Sequence, residues 1–336
     1  MGHPLIPESQ LSGPPEPERK FRLMERVRFH MAQQRYSRRT CDVYSMWIRF
    51  YIRFHKRRHP GDLGDEEVRA FLSHLAVEKQ VAASTQNQAL AALRFLYSIV
   101  LRKPLGETLE IVPATRPKRL PVVLAVGEIR AILDELRGVD RLMVTLMYGS
   151  GLRVMECVSL RVKDVDVERC EIVVRGGKGN KDRHVPLPQS AVADVRRALR
   201  VAHEVWAADA RRRIRVTGID GALARKLPNA DGEWPWFYLF PATRTFRDDG
   251  GVARRHHIHE SKIQRAVREA SSSAGIGKRV SCHAFRHAFA THLLERGTDI
   301  RSIQKLLGHS DIRTTMVYTH VANRPGRGVR SPVDDL

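Results

Sequence analysis

Apolar side chains recur at helical spacing along most of the chain. Four such runs come first, at about Arg19–Gln34, Ser37–His55, Asp65–Lys79 and Ala83–Leu101, and Ser84 or Thr85 is placed to cap the fourth. They predict a small all-helical domain over residues 18–110. In the second run Val43, Trp47, Phe50 and Tyr51 alternate with arginines. That pattern suits an amphipathic helix with a solvated basic face, or one lying against a polyanion. Ahead of this domain, Met1–Pro17 carries five prolines and few apolar anchors, which predicts a mobile arm over residues 1–17. Behind it, Ile111–Val123 (IVPATRPKRLPVV) holds three prolines and three basic residues and reads as an extended linker.

A second domain follows, over residues 124–336. Glu128–Leu136 and Asp140–Tyr148 are helical runs, leading into a helix that opens at Arg153 and buries Leu152, Met155, Val158, Ser159 and Leu160. Glu171–Arg175 and Asp182–Leu187 read as two strands of a hairpin with a Gly-rich turn between them. Gln189 to about Arg213 is a helix. Residues 214–233 contain Gly, Pro and a short helical run near Ala222–Lys226. The aromatics Trp234, Trp236, Phe237, Tyr238 and Phe240 then suggest a strand, with Phe237 and Phe240 inward and with Trp234 and Trp236, which flank Pro235, exposed. Ser281–His320 ends the pattern with three short helices. Phe285, Phe289 and Leu293 anchor the first; Gly297 ends it; Thr298 is placed to cap the second, which uses Ile300, Ile303, Leu306 and Leu307 and stops at Gly308; Ser310 or Asp311 caps the third. The fold class is mostly α with a small antiparallel sheet: an all-helical N-terminal domain and an α+β second domain.

Composition narrows the function. The 336 residues suggest about two domains, each with ample apolar content for a core. Lys and Arg number 58 against 37 Asp and Glu, a net charge of +21, which favours a polyanionic partner, most simply nucleic acid. A ribosomal or membrane-surface protein would share that balance. No apolar run is long enough for a membrane span, and the N-terminus has no signal-peptide pattern. Cys41, Cys157, Cys170 and Cys282 form no C-x-x-C pair, as expected of reduced, packed thiols in a cytoplasmic protein.

Candidate chemistry concentrates in the last helices. His283 and Arg286 are three apart and share a helix face. His309 falls in a turn at a helix start, where free N–H groups and the dipole favour a phosphate. Tyr318 follows at the far end of that helix. Arg153 sits after a Gly-Ser-Gly break, with Glu156 placed to orient it from behind, and Lys178 sits at the hairpin tip. That tip reads either as a flexible basic loop or as a mobile lysine reaching a site; a P-loop fails on spacing and because Gly179 follows the lysine. Guanidinium forks match phosphate oxygens, and a tyrosine hydroxyl is a nucleophile. The set fits attack of Tyr318 on a phosphodiester, with charge stabilised at the transition state. Each motif alone is common; six in order are specific.

Arg153, Lys178, H-x-x-R at His283 and Arg286, and LLGHSD with His309 and then Tyr318 resemble the tyrosine recombinase (lambda-integrase-like) family. Within it the resemblance is greatest to integron integrases, carried by the insertion at about 214–233, WPWFYLFPATR, the RRHH pair at Arg254–His257 and the tail GVRSP at Gly328–Pro332. It implies a core-binding (SAM-like) N-terminal domain, a linker in which Lys118 and Arg119 follow the DNA backbone, and a catalytic domain. It implies a 3′-phosphotyrosine on Tyr318 and no cofactor, metal or ATP. Arg153, Arg286 and His309 stabilise charge, Lys178 is the candidate acid and His283 the candidate base. Trp234, Trp236, His256 and His257 would receive protruding bases of a folded single strand. Partners would be DNA, as duplex attI-like and folded single-stranded attC-like sites, and three further protomers in a homotetramer in the bacterial, nucleoid-associated cytoplasm. His256, His257, His259 and Glu260 also permit a metal-site reading, which lacks a completing ligand set. A Xer-like or phage-type recombinase on duplex sites, a type IB topoisomerase and a non-catalytic DNA-binding protein are the competing readings.

Overall fold

The computed structural model describes residues 22–106, 122–176, 182–219 and 221–319. Contacts divide the chain into two units, Met1–Lys118 and Arg119–Leu336. The arm Met1–Pro17, Lys118, Arg119, Lys178 and the GVRSP tail all lie outside the described residues.

The first unit is four helices, α1 (Leu23–Gln33), α2 (Arg38–Phe54), α3 (Asp65–Val77) and α4 (Ala83–Phe95), the last running into a π-helical turn at Leu96–Val100. Ser37 starts α2 by accepting a hydrogen bond from the Thr40 N–H at 3.1 Å. Ala82 stands at the N-cap of α4, so Ser84 and Thr85 lie inside its first turn and do not cap it. Val27, Ile48, Val68, Leu72 and Leu93 fill the core, and the buried hydroxyls of Tyr51 and Tyr97 satisfy each other at 2.8 Å. Phe50 points outward, unlike Trp47 and Tyr51: the inward stripe of α2 runs through Trp47, Ile48 and Tyr51 at spacings of one, three and four.

The second unit begins with α5 (Val126–Glu135), α6 (Gly138–Gly149) and the single turn α7 (Val154–Val158). An antiparallel sheet follows, β1 (Val165–Asp166), β2 (Glu171–Val174) and β3 (Arg183–Pro186), with Ile172 opposite Val185. Then come α8 (Val192–Arg211), β4 (Arg215–Val216), α9 (Gly221–Lys226), β5 (Pro241–Arg247), β6 (Ala253–His257), α10 (Glu260–Ser273), α11 (Cys282–Glu295), α12 (Ile300–Leu307) and α13 (Ile312–Met316). No helix of the described residues is long and apolar enough to cross a membrane. All four cysteines are free thiols, Cys157 and Cys282 being buried.

Four expectations from the sequence do not hold in the structure. Met155 is exposed, because α7 ends after one turn and does not sustain a buried stripe. Asp299, not Thr298, caps α12, accepting from the Ser302 N–H at 2.9 Å. The aromatic cluster is not a strand. Pro235 has no N–H to give a ladder, and Trp234–Trp236 forms a 3₁₀ turn. The strands of a second sheet lie to either side, in the order β4-β6-β5, with β4 parallel to β6. Phe237 and Phe240 are buried as expected. Trp234 and Trp236 are half-buried instead of exposed. Trp234 packs against His203, Trp206 and Phe237. Trp236 lies beneath the Lys163 ammonium, 2.7 Å from its ring centroid, and beside the Arg161 guanidinium.

Candidate active site

Two glycines bring the site's backbone together. Gly151, at φ +65°, turns the chain between α6 and α7; a Cβ there would stand 2.5 Å from Cδ1 of Phe289. Gly308, at φ +61°, ends α12 in the left-handed conformation and lets the Arg183 side chain lie against it. Arg153 is thereby set at the N-cap of α7 and His309 in the turn between α12 and α13.

Glu156 binds the arginines. It accepts from Nη1 of Arg153 at 2.7 Å and from the Arg153 backbone N–H at 2.8 Å. Arg183 grips it with both Nη atoms, at 3.0 and 2.6 Å. Nη1 of Arg286 stands 3.8 Å away. Burial alone would raise the Glu156 carboxyl, but hydrogen bonds from Arg183 and Arg153 outweigh it and hold the group down to about 2. Arg183 also donates from Nε to the Leu306 carbonyl at 2.8 Å, joining β3 to the last turn of α12.

Arg286 is wholly buried. It donates from Nη1 to the Gly151 carbonyl at 2.7 Å, and from Nη2 to the Leu307 carbonyl and to Nε2 of His309, the latter at 3.1 Å. Its Nε has no hydrogen-bond partner among the described residues. An arginine only donates, so Nε2 of His309 is the acceptor and its Nδ1 carries the proton toward Oγ1 of Thr315, 2.9 Å away. Burial first, then Arg286, Arg153 and Arg183, push His309 down to about 4, so its ring is neutral at pH 7.

Tyr318 lies in the turn just past α13, not at the end of a helix, and is 3% exposed. Its ring stacks on His309 at 6.4 Å, and its hydroxyl meets Nδ1 of His287 at 3.0 Å. Burial raises its pKa, against the opposing pull of Arg286 and Arg153. His283 is exposed, with its ring 4.3 Å from that of His287. Five of the six residues read from sequence thus gather here, and the sixth, Lys178, lies outside the described residues.

Residues 123–324 match the phage integrase family. The chain belongs to this family, the tyrosine recombinases. Residues 23–107 match its N-terminal SAM-like domain. An integrase/recombinase of Escherichia coli is 46% identical over 97% of each chain. Tyrosine recombinase XerA of Thermococcus kodakarensis is 33% identical over 85% of this chain and 86% of its own. The fold is that of a lambda integrase fragment solved as a dimer on a core site, with a TM-score of 0.58 at 16% identity over 92% of this chain and 97% of that one.

Around the second sheet the expected DNA contacts divide. His257 is buried, its Nδ1 2.7 Å from the Ile258 carbonyl and its ring against Tyr238, so it is not open to receive a base. His256 is exposed, with Nδ1 2.8 Å from Oγ1 of Thr217. Burial, then His257, His259 and Arg161, hold His256 down to about 4. In the metal-site reading, His256, His257 and His259 turn their Nδ1 atoms to Thr217, Ile258 and Ser261 in turn, and no group of three or more His, Cys, Asp or Glu among the described residues is arranged to hold an ion.

Sequence reasoning missed Arg183, His287 and Thr315. Arg183 had a signal, a charged residue at an inward position of an alternating strand. His287, one turn beyond His283 on one helix face, had another. Thr315 had none.

Proposed function

We propose that this recombinase cuts and rejoins DNA through a 3′-phosphotyrosine on Tyr318, and that it integrates and excises gene cassettes at integron sites, folded single-stranded ones included. Support for the chemistry comes above all from the convergence of Arg286, His309 and Tyr318 on one point, with Arg153 tied to the same Glu156. A phosphodiester under attack gathers negative charge on its non-bridging oxygens. Arg153, with its side chain 31% exposed, is the guanidinium open to that charge. Arg286 acts from beneath with its field and its free Nε. Burial first and then the arginines hold His309 neutral; a phosphate's charge offsets the arginines and favours the protonated ring, which donates. The Tyr318 oxygen bonds to phosphorus as the P–O5′ bond breaks, and Lys178 protonates the departing 5′-oxygen. Exchanging one ester for another conserves the bond energy, so a partner strand's 5′-hydroxyl reverses the step. Four protomers around a junction in the bacterial cytoplasm complete the exchange.

The integron reading rests on the insertion. Its strand β4 pairs with β6, and its Thr217 hydrogen-bonds His256 of the RRHH pair, so the two form one surface. His256 is the exposed ring of that surface, and a base stacked on such a ring gains ~1–3 kcal/mol. The 33% identity with XerA favours a second reading, a recombinase of ordinary duplex sites.

Covalent trapping separates them. Nicked duplex sites and folded hairpins with protruding bases are incubated without metal or ATP, beside Tyr318→Phe. A protease-sensitive adduct on hairpins, absent from Tyr318→Phe, is the expected result. An adduct on duplex alone selects the second reading, and binding without any adduct removes the enzyme.

A further inference from the structure

A buried tyrosine cannot hand its proton to bulk water, so the group beside its hydroxyl decides where that proton goes. We infer that His287 takes the proton of the Tyr318 hydroxyl as its oxygen attacks phosphorus, and passes a proton to solvent by way of His283. This rests on the reading of Tyr318 as the nucleophile.

Three observations carry it. First, Nδ1 of His287 is 3.0 Å from the Tyr318 hydroxyl, at hydrogen-bond distance from the reacting atom. Second, the other imidazole near Tyr318 has no lone pair to offer. His309 uses Nε2 to accept from Arg286 and carries its proton on Nδ1, facing Thr315. Third, a way out exists. The rings of His287 and His283 meet edge to face at 4.3 Å, and His283 is exposed while His287 is half-buried. The spacing of four places both on one face of α11.

The step balances. The Tyr318 oxygen bonds to phosphorus, the P–O5′ bond breaks, and the tyrosine proton moves to Nδ1 of His287. The imidazolium then sheds a proton from its other nitrogen toward His283. The departing 5′-oxygen is protonated separately, by Lys178. In rejoining, His287 returns a proton to the tyrosine oxygen. The titratable and charged groups around His287 are His283 and Arg286 of α11 and, from the segment beyond α12, Tyr318 and His309; Arg153 adds its charge to the same site. Burial, then His283 and Arg286, lower His287 to about 4, which keeps it neutral with its lone pair free. A phosphodiester anion against the arginines offsets their charge and raises the affinity of His287 for a proton.

The test uses a nicked duplex and a substrate with sulfur at the 5′-bridging position, whose thiolate leaves without an acid. His287→Gln keeps a hydrogen-bonding side chain but cannot take up a proton. It is expected to bind DNA as wild type does and to form adduct ~10²–10⁴-fold more slowly. The sulfur substrate is expected to rescue Lys178→Ala and not His287→Gln, and added imidazole to speed His287→Ala. Unchanged or faster cleavage by both His287 variants overturns the proposal, the faster result meaning that the bond restrains the nucleophile. Full rescue of His287→Gln by sulfur also overturns it, since that marks an acid. If wild type forms no adduct on any substrate, the nucleophile reading fails and this proposal falls with it.

Discussion

The arginine side and the tyrosine side of the site are built on opposite plans. Arg153, Arg183 and Arg286 converge on one largely buried carboxylate, and Arg183 and Arg286 also donate to main-chain carbonyls of α12 and of the turn before α7. Every link there is charged or multiple. Across from it, Tyr318 hangs beyond α13, a helix of five residues, and its hydroxyl meets His287 alone among the described residues. The group that stabilises charge must not move when charge appears, because preorganisation is what makes it effective. The group that forms and breaks a bond must move with it. Rigidity and mobility are thus divided between two sides that meet at His309, and the division makes different demands on stability and on rate.

Breaking the carboxylate should do the most damage. Glu156→Gln keeps the shape but leaves the guanidiniums without their counter-charge in a buried setting, and removing one member of a buried pair costs about 3–5 kcal/mol. Thermal and urea melts should fall accordingly, with adduct formation lost alongside. The pH dependence identifies the cause. Folded Glu156 takes up its proton only near about 2, whereas an unfolded glutamate does so near ~4.3. The unfolded chain therefore binds the proton first. The carboxylate's contribution is complete above that unfolded value and is lost as pH falls toward about 2. Wild type should lose stability over that window, and Glu156→Gln should lose less. An equal slope in both would mean that other carboxylates carry the acid limb.

A smaller perturbation on the same side comes from Gly151→Ala. The new methyl meets Phe289 at 2.5 Å and Leu307 at 3.3 Å on a backbone with φ +65°. Overpacking of this kind costs ~1–3 kcal/mol. The carbonyl of residue 151 holds Nη1 of Arg286, so the clash should also slow cleavage without changing its pH profile. A melt unchanged from wild type would show that Phe289 swings aside freely and that the turn is less tightly set than its contacts suggest.

Much of this arrangement is legible in the chain itself, and what is not legible has physical causes. The four N-terminal helices were legible because each buries one stripe of a regular period. Arg153, His283, Arg286, His309 and Tyr318 were legible because their chemistry is specific and each follows a recognisable break or cap. The second sheet was not. The side chains of β5 are mostly exposed, so no alternation marks it, while the aromatic cluster that imitates a strand fills the core from a 3₁₀ turn and an irregular stretch. Exposure of Trp234 and Trp236 was misjudged because their covers, Trp206 and Lys163, come from elements distant in sequence. Thr315 illustrates the limit: its role depends on which nitrogen of His309 is protonated, and that follows from Arg286, 29 residues upstream.

Thr315 also offers the sharpest contrast with the arginine side. It is fully buried, and its hydroxyl accepts from Nδ1 of His309. Thr315→Val preserves the shape and removes that acceptor, so the melt should fall by only ~1 kcal/mol, the worth of a single hydrogen bond. The rate should suffer more. Arg286 still places the proton on Nδ1, but without the Thr315 hydroxyl that N–H has no acceptor, the ring is free to turn, and its bond with Arg286 at 3.1 Å loses its definition. Misplacing one donor at a developing oxyanion costs roughly 10²-fold. A variant that melts nearly as wild type yet cleaves that slowly would mark the tyrosine side as built for reaction more than for stability. If instead stability and rate fall in proportion, as expected for Glu156→Gln, the two sides behave as one rigid body and the division drawn between them is wrong.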